Sequence, residues 1–381
     1  MPITPYGFPL SRPRPIYTRH TQLAFLGYHN IQQLLRLELQ QSSALTILSV
    51  VQAASIGAIS LQSIIFEPFH RLLPRVVQMG PSRKTVLVTG ATGKQGGALI
   101  QHLLQANQDT DTTAFNIIAL TRDVTSTRAL KLGAHFNVSV VGGDMSEPEA
   151  VFQKVGPVWG VYSVQVNSND EEAQGVAWVD AAVAHDVRHF VYSSGDRGGP
   201  EKSAVTPTDV KNFAAKFRIE KHLEERAASS PQQMTYTILR PVTFFENLTA
   251  DVHGKGFARM WEQMGDKTLQ FVSTQDIGWF AANAFLRPSD FRNVAVTLVG
   301  DELTQAEADV LFKAAVGLPM PLAPCPVASA VKFFLRGTVG DMFRWFEKEG
   351  YGGDVAFCRQ LQPGMMDFKA WITANKGQFS D

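Results

Sequence analysis

The chain has 381 residues, a formal net charge of zero, 45% hydrophobic residues and 18% charged residues. These values are ordinary for a globular protein of one or two domains, and the balanced charge gives no support for a nucleic-acid-binding surface. The two cysteines, Cys325 and Cys358, lie far apart and outside any metal-ligand spacing. The sequence therefore predicts neither a disulfide framework nor a metal site. The expected location is a reducing compartment, the cytoplasm, with nuclear entry as an option.

Residues 1–80 differ from the rest of the chain. They contain several arginines and no lysine, and their only acids are Glu38 and Glu67. The uncharged run 44–66 is long enough to cross a bilayer, but serine, threonine and glutamine interrupt it, so membrane contact is expected only if it is a real anchor. A disordered extension, a targeting peptide, a marginal membrane segment and a segment outside the working protein all stay open. Because Met79 lies just before the first predicted strand, we favour the last of these.

A glycine-rich turn follows the first strong strand signal. The apolar and β-branched run Thr85–Thr89 predicts a buried parallel strand, and helical spacing of apolar residues begins at Ala98. The three glycines between them permit a sharp turn, close approach of a pyrophosphate and tight helix packing. The unpaired N–H groups of the helix start would face the phosphates. The stretch predicts a dinucleotide site with contacts at Gly90, Ala91, Thr92, Gly93, Lys94, Gln95 and Gly96.

The end of the second predicted strand bears on the choice of cofactor. The run Phe115–Thr121 predicts a strand, and Arg122 follows it directly. An acid at this position would bind the ribose 2′-hydroxyl of NAD, whereas an arginine pairs with the 2′-phosphate of NADP. Thr125 and Ser126 are candidate phosphate donors, and Arg128 is a second basic candidate. The sequence therefore favours NADP(H).

Strands and helices continue to alternate along the chain. The next predicted elements are strands over Val138–Val141, Val158–Val166 and His189–Ser193, with a helix over Glu171–His185 before the last. Asp144, at the tip of the third strand, is placed to contact the adenine edge and to cap the helix that begins near Glu147. Residues 165–167 would lie beside the nicotinamide half of the cofactor. The alternation predicts an α/β protein with a Rossmann-type, doubly wound parallel sheet.

In this order the motifs resemble those of the NmrA-like branch of the atypical short-chain dehydrogenases, over residues 84–381. The resemblance rests on Gly90–Gly96, Thr121–Arg122, Gly143–Asp144, His189–Ser194, Lys216–Glu220, Leu239–Leu248, Asp276–Gly278 and Gly300–Thr304. It implies that NADP(H) is bound by the fingerprint residues together with Arg122, Asp123, Thr125, Ser126, Asp144, Met145, Gln165, Val166, Asn167, Lys216, Phe244, Phe245, Glu246 and Asn247.

The resemblance also bears on catalysis. Short-chain dehydrogenases reduce a carbonyl with a tyrosine acid four residues before a lysine, and a serine after the fifth strand orients the substrate. Lys216 and Ser194 match the lysine and the serine, but Asn212 stands where the tyrosine would be. Aromatic residues such as Phe245 and Trp279 either wall a substrate pocket or belong to an ordinary core, and we favour the core. Our first hypothesis is an NADP-dependent oxidoreductase in which Lys216 acts without a tyrosine on a quinone, enone or aromatic compound. The alternative is a non-catalytic NADP(H) redox sensor or transcriptional co-regulator that acts through a protein partner.

Two parts are expected beyond the extension. The NADP(H)-binding domain is predicted over 82–243 and 273–300, where a helix capped by Asp276 begins its second piece. A smaller, discontinuous α+β subdomain is predicted over 244–272 and 301–381. Ligands of such sheets bind outside the carboxyl ends of the strands, so we expect the substrate or partner site between the two parts.

Overall fold

The computed structural model describes residues 83–108, 115–324 and 339–379. The predicted extension 1–80, with its uncharged run, lies outside these ranges, as does Cys325. Within them, no helix combines the length and the apolar composition that crossing a bilayer requires. The same ranges contain no group of three or more histidine, cysteine, aspartate or glutamate residues that could hold a metal ion.

The strands form two sheets. In the described residues they are β1 (Lys84–Val88), β2 (Phe115–Thr121), β3 (Val138–Gly142), β4 (Gly160–Ser163), β5 (His189–Ser193), β6 (Thr235–Pro241), β7 (Thr243–Phe244), β8 (Leu269–Val272), β9 (Val294–Leu298) and β10 (Asp301–Leu303). Seven of them make one parallel sheet in the order β3-β2-β1-β4-β5-β6-β9. The other three make a small sheet, in which β8 pairs parallel with β7 and antiparallel with β10. The predicted doubly wound parallel sheet is confirmed.

Helices cover both faces of the large sheet. Those of the described residues are α1 (Lys94–Ala106), α2 (Thr127–Gly133), α3 (Pro148–Val155), α4 (Glu171–Ala184), α5 (Pro200–Val205), α6 (Lys211–Ser229), α7 (Val252–Glu262), α8 (Thr274–Leu286), α9 (Pro288–Phe291), α10 (Gln305–Val316), α11 (Val339–Lys348), α12 (Val355–Leu361) and α13 (Phe368–Asn375). On one face α1 and α8 lie so close that a Cβ on Gly278 would be 2.5 Å from that of Ala98. On the other face Trp178 of α4 and Ile219 of α6 pack in a core with Phe190.

A second apolar core belongs to the small sheet and to helices α7, α10, α11 and α13. Its centre is aromatic: the ring of Phe245 stacks on that of Phe271 at 5.4 Å and on that of Trp371 at 5.5 Å. These contacts join residues from the 3₁₀ turn after β7, from β8 and from α13, which lie far apart in the sequence. The smaller part of the protein is therefore held together by long-range packing.

The chain reverses its direction of winding at β1. This strand lies between β2 and β4, and Val88 is in register with Ala119 on one side and Tyr162 on the other. Because the connections after β1 and β4 lead away to opposite sides, they leave a crevice at the carboxyl edge of the sheet. The loop that carries the three glycines opens into this crevice.

Two predicted boundaries are wrong. Helix α8 begins at Thr274, and its N-cap is Ser273, whose hydroxyl accepts a bond from the Gln275 N–H. Asp276 therefore lies inside the first turn, because a cap must have extended backbone directly before the helix, as Ser273 does. The fourth strand is also shorter than predicted, since pairing with its neighbours ends at Ser163.

Candidate functional site

Three glycines shape the loop between β1 and α1. Gly90 has a φ of +58°, a left-handed conformation that favours glycine, and a Cβ there would lie 2.9 Å from Val164 Cγ1. A Cβ on Gly96 would lie 2.8 Å from the carbonyl carbon of Gly90, so glycine lets the helix lie against the loop. The N–H of Gly93 donates to the Gly90 carbonyl at 2.8 Å and closes the turn.

The first turn of α1 has the construction of an anion site. Its N-cap is Gly93, which has no side chain to bond the N–H groups of the turn, and the turn contains no acidic residue. The first N–H groups of a helix lack intrahelical partners and carry the positive end of the helix dipole. A glycine-lined loop with an uncapped helix start beside the crevice fits the pyrophosphate of a dinucleotide.

The side chains of Lys94 and Gln95 tie this loop to its surroundings. Lys94 Nζ donates to the carbonyl oxygen of Glu246 at 2.7 Å. Gln95 Oε1 accepts from the hydroxyls of Tyr162 and Ser193 at 3.1 and 2.7 Å. Gln95 thus fastens the helix start to the ends of β4 and β5 through its side-chain oxygen. Its backbone N–H and its side-chain NH₂ are donors that a phosphate can accept from.

Two arginines follow β2, Arg122 directly and Arg128 in the first turn of α2. Arg122 is exposed, and its guanidinium makes no hydrogen bond or ion pair with the described residues. Arg128 Nη1 donates to the carbonyl oxygen of Thr92 at 3.3 Å, which places a second guanidinium beside the glycine loop. Both cations are therefore near the position where a 2′-phosphate would follow β2.

The other predicted residues of this segment bond one another. The carboxylate of Asp123 accepts from the N–H and the hydroxyl of Thr125 at 2.8 and 2.6 Å. These bonds, the one from the hydroxyl first, hold the pKa of Asp123 below its ordinary value. Ser126 is the N-cap of α2 and accepts from the Ala129 N–H. A phosphate contact from Thr125 or Ser126 would compete with these bonds.

The tip of β3 does not make the predicted helix cap. The N-cap of α3 is Glu147, while the carboxylate of Asp144 accepts from the Ser146 N–H at 2.8 Å and stabilises the preceding turn. Asp144 stays exposed at the sheet edge. The carbonyl oxygen of its neighbour Met145 accepts a hydrogen bond from the indole N–H of Trp178 at 3.0 Å, so this backbone acceptor is already engaged.

The segment after β4 contains a buried acceptor without a partner. Gln165 Nε2 donates to Ser163 Oγ at 2.8 Å, but Gln165 Oε1 has no hydrogen-bond partner among the described residues. Such an atom is uncommon in a folded protein, and at this edge it fits a donor group on a ligand. Val166 is 77% exposed, and Asn167 is exposed as well.

Lys216 on α6 forms an ion pair with the first residue of α4. Its Nζ lies 2.5 Å from Oε1 of Glu171, whose side chain is fully buried, and the Lys216 side chain is 12% exposed. The stem of Lys216 lies beside the residue that follows β5 and Ser194, because a Cβ on Gly195 would be 3.5 Å from Lys216 Cδ. The pair is therefore located where the β4–α4 loop meets the end of β5.

Ser194 belongs to a buried polar cluster. Its hydroxyl donates to Glu220, and the same carboxylate lies 2.7 Å from Nη2 of Arg197 and of Arg240. Burial opposes ionisation of Glu220, but the two guanidinium charges and their hydrogen bonds outweigh it and hold the pKa of this carboxyl below its ordinary value. The cluster fixes the loop after β5, and it holds the Ser194 hydroxyl toward Glu220.

The 3₁₀ turn after β7 joins the crevice to the smaller part. Phe245 is fully buried in the second core, as favoured from the sequence, so its side chain neither walls a pocket nor contacts a cofactor. The carboxylate of Glu246 accepts from the N–H and the hydroxyl of Thr274 at 3.0 and 2.9 Å, at the start of α8. Phe244 is half-buried and Asn247 is exposed, so both keep surface that a ligand can contact.

Asp276 joins α8 to the C-terminal part of the chain. Its Oδ2 accepts from the Met366 N–H at 3.1 Å. Burial raises the pKa of Asp276 to about 7, and the charge of Glu246 adds to the shift in the same direction. The carboxyl of Asp276 therefore titrates near neutral pH in the folded protein.

Replacing Asp276 by asparagine is expected to remove part of the pH dependence of stability. The folded-state pKa lies above the ordinary value of 3.8, so folding takes up a proton between the two, and the free energy of unfolding falls as the pH rises from about 4 to 7. Asp276→Asn should exceed the wild type in stability at about pH 8 by on the order of 2 kcal/mol, and this advantage should disappear toward about pH 4. Urea denaturation across this range measures it, with the exposed Asp266→Asn as control. Parallel curves for Asp276→Asn and the wild type would contradict the assignment.

A family model supports the grouping that the motifs suggest. The model described as the NmrA-like family matches residues 82–372. The chain belongs to the NmrA-like family. Among the relatives of this NmrA-like protein is the NmrA-like family domain-containing oxidoreductase lnaB of Aspergillus flavus, 28% identical over 265 residues, which are 63% of this chain and 75% of that protein. Another is the NAD(P)H azoreductase of Xenophilus azovorans, 25% identical over 239 residues, which are 62% of this chain and 75% of that protein.

Solved structures share the fold. The triphenylmethane reductase of Citrobacter sp. complexed with NADP(H) aligns with a TM-score of 0.58 and 19% identity, over 77% of this chain and 99% of that one. NmrA, a negative transcriptional regulator, in complex with NADP aligns with a TM-score of 0.57 and 17% identity, over 77% of this chain and 95% of that one. At these identities the likeness concerns the fold alone, which a reductase and a regulator have in common.

Glu171 is the site residue that sequence patterns do not single out. A glutamate in the first turn of a helix is explained by the helix dipole, so its presence there carries no functional signal. Its partner Lys216 lies 45 residues further along the chain. The pairing follows from the way α4 and α6 pack on the sheet, which only the structure provides.

Proposed function

We propose that this NmrA-like protein binds NADP(H) along the carboxyl edge of the large sheet and is an oxidoreductase for a small quinone-, enone- or aromatic-like acceptor. The observation that carries the proposal is the uncapped, acid-free first turn of α1 behind three glycines at the switch point. A dinucleotide pyrophosphate is the ligand that such a helix start fits. The azoreductase and oxidoreductase names of its relatives support this class of reaction.

The site residues divide among the parts of the cofactor. We assign the pyrophosphate to the backbone of 90–96, the 2′-phosphate to Arg122 and Arg128, the adenine edge to Asp144 and Met145, and the nicotinamide half to Gln165, Val166, Asn167, Lys216, Phe244 and Asn247. Asp123, Thr125, Ser126 and Glu246 hold these segments in place through the bonds described above. When bound, the cofactor supplies the hydride, and the protein supplies binding, orientation and charge.

Lys216 is assigned to proton transfer. The ammonium group of Lys216 has three N–H donors, and one of them donates a hydrogen bond to Glu171. The other two can serve a ribose hydroxyl and the atom of the acceptor that gains negative charge on reduction. Asn212 cannot take the place of a tyrosine acid. The predicted role of Ser194 is narrower, because its hydroxyl donates to Glu220 and its oxygen accepts from Arg197 Nη1 at 3.4 Å.

The test is oxidation of NADPH, followed by its absorbance, with menadione, an azo dye and a triphenylmethane dye as acceptors. The two dyes are included because the names of an azoreductase relative and a triphenylmethane reductase of the same fold point to them. We expect turnover of at least one acceptor, with NADH a poorer reductant than NADPH. Saturable NADPH binding without turnover of any of the three would contradict the oxidoreductase assignment.

Replacing Arg122 by alanine is expected to weaken NADPH binding by roughly 10- to 100-fold, the range of a charged hydrogen-bonded pair with phosphate. NADH lacks the 2′-phosphate, so its affinity should change little. Fluorescence titration with both nucleotides measures the difference. The exposed Arg292→Ala is the matched control and should bind like the wild type. Equal losses for NADPH and NADH, or none for either, would contradict the role of Arg122.

A second function is favoured by Asn212. With no tyrosine acid one turn before Lys216, the same residues can bind NADP(H) and report its state to a protein partner in the cytosol or nucleus. The transcriptional regulator NmrA has this fold in its NADP complex, which supports the alternative. Its test is a pull-down in the presence of NADP⁺ or NADPH: a partner retained with one nucleotide and released with the other favours the sensor.

A further inference from the structure

Glu171 and Lys216 form an ion pair beside the part of the crevice where we propose that the nicotinamide binds. Glu171 and Lys216 approach to 2.5 Å, and neither forms another ion pair among the described residues. The carboxylate is fully buried, whereas the lysine keeps 12% of its side chain exposed. Water therefore screens Glu171 poorly, and the positive charge that balances it there is that of Lys216.

The field of Glu171 extends beyond this pair. Its second oxygen, Oε2, is buried with no hydrogen-bond partner in the described part of the chain. The hydroxyl of Tyr192 on β5 is also buried and also has no partner there. Burial first, and then the charges of Glu171 and Glu220, raise the pKa of Tyr192 well above its ordinary value. A carboxylate that acts on a neighbouring strand in this way also acts on a ligand at the edge of that strand.

We propose that Glu171 determines which redox state of the cofactor is preferred, by compensating the charge of Lys216 beside the nicotinamide. The inference rests on the proposed function, which places the nicotinamide at Lys216. The ring is cationic in NADP⁺ and neutral in NADPH, and the rest of the molecule carries the same charge. Charges close to the ring therefore discriminate between the two forms: Glu171 favours NADP⁺, and Lys216 disfavours it. Because the two charges act in opposite directions, their combined effect on the preference between NADP⁺ and NADPH is small.

The test is the ratio of the NADP⁺ and NADPH dissociation constants, measured by calorimetry. Glu171→Gln keeps the size of the side chain and leaves the Lys216 charge uncompensated, so this ratio should rise by on the order of tenfold. The double variant Glu171→Gln/Lys216→Met removes both charges and should return the ratio to within about threefold of the wild type. Should Glu171→Gln fail to fold, Lys216→Met provides the opposite arm, in which the ratio should fall.

The control is Glu172→Gln. Glu172 follows Glu171 directly but pairs at the surface with Arg218 at 2.6 Å, so its loss should leave the ratio unchanged. A ratio that stays constant in Glu171→Gln, or that stays raised in the double variant, would overturn the inference while leaving the proposed function intact. A wild-type protein that binds neither nucleotide would overturn the proposed function and this inference together.

Discussion

Replacing Lys216 by methionine is expected to lower kcat by about 100-fold or more, measured with whichever acceptor the wild-type enzyme turns over. The reason is that a positioned acid contributes roughly 10²- to 10⁴-fold to such a reaction. NADPH affinity should fall by less than about tenfold, since Lys216 is only one of the many residues that we assign to the cofactor. Steady-state kinetics with saturating NADPH separates the two effects.

The matched control lies on the same helix. Lys221 forms a half-buried pair with Glu224 at 2.8 Å within α6, so Lys221→Met should keep the wild-type kcat. A Lys216→Met protein that retains kcat within about threefold would show that the lysine only supports the fold or the cofactor. The acid would then have to be sought elsewhere in the crevice.

Replacing Glu220 by alanine is expected to cost about 3–5 kcal/mol of folding free energy, because it leaves Arg197 and Arg240 buried without their shared carboxylate. Urea denaturation measures this loss. Glu224→Ala, one turn further on, removes a partly solvent-exposed pair with Lys221 and should cost less than about 1 kcal/mol. Similar losses for the two variants would contradict the view that the buried cluster holds the loop after β5.

The parts of the fold that follow from local pattern were predictable. The runs Phe115–Thr121 and His189–Ser193 match β2 and β5 residue for residue, since each is an apolar, β-branched or aromatic run with clear ends. The glycine loop was predictable for the same reason: Gly90, Gly93 and Gly96 act within one turn and its helix. Their spacing in the sequence is therefore enough to predict a sharp turn with close approach of the helix and of a pyrophosphate.

The parts that depend on packing were not predictable. The ring of Phe245 stacks on that of Phe271, which belongs to a separate strand. The partner of Lys216 comes from another helix. Each of these contacts is set by the three-dimensional arrangement of elements, on which the local sequence carries no information.

Binding of NADP(H) by the glycine loop and the start of α1 underlies every other proposal made for this protein. Calorimetric titration of the wild-type protein with NADPH is its direct test. We expect saturable binding of one NADPH per chain, with NADH clearly weaker. Absence of binding by either nucleotide, even at millimolar concentration, would contradict it.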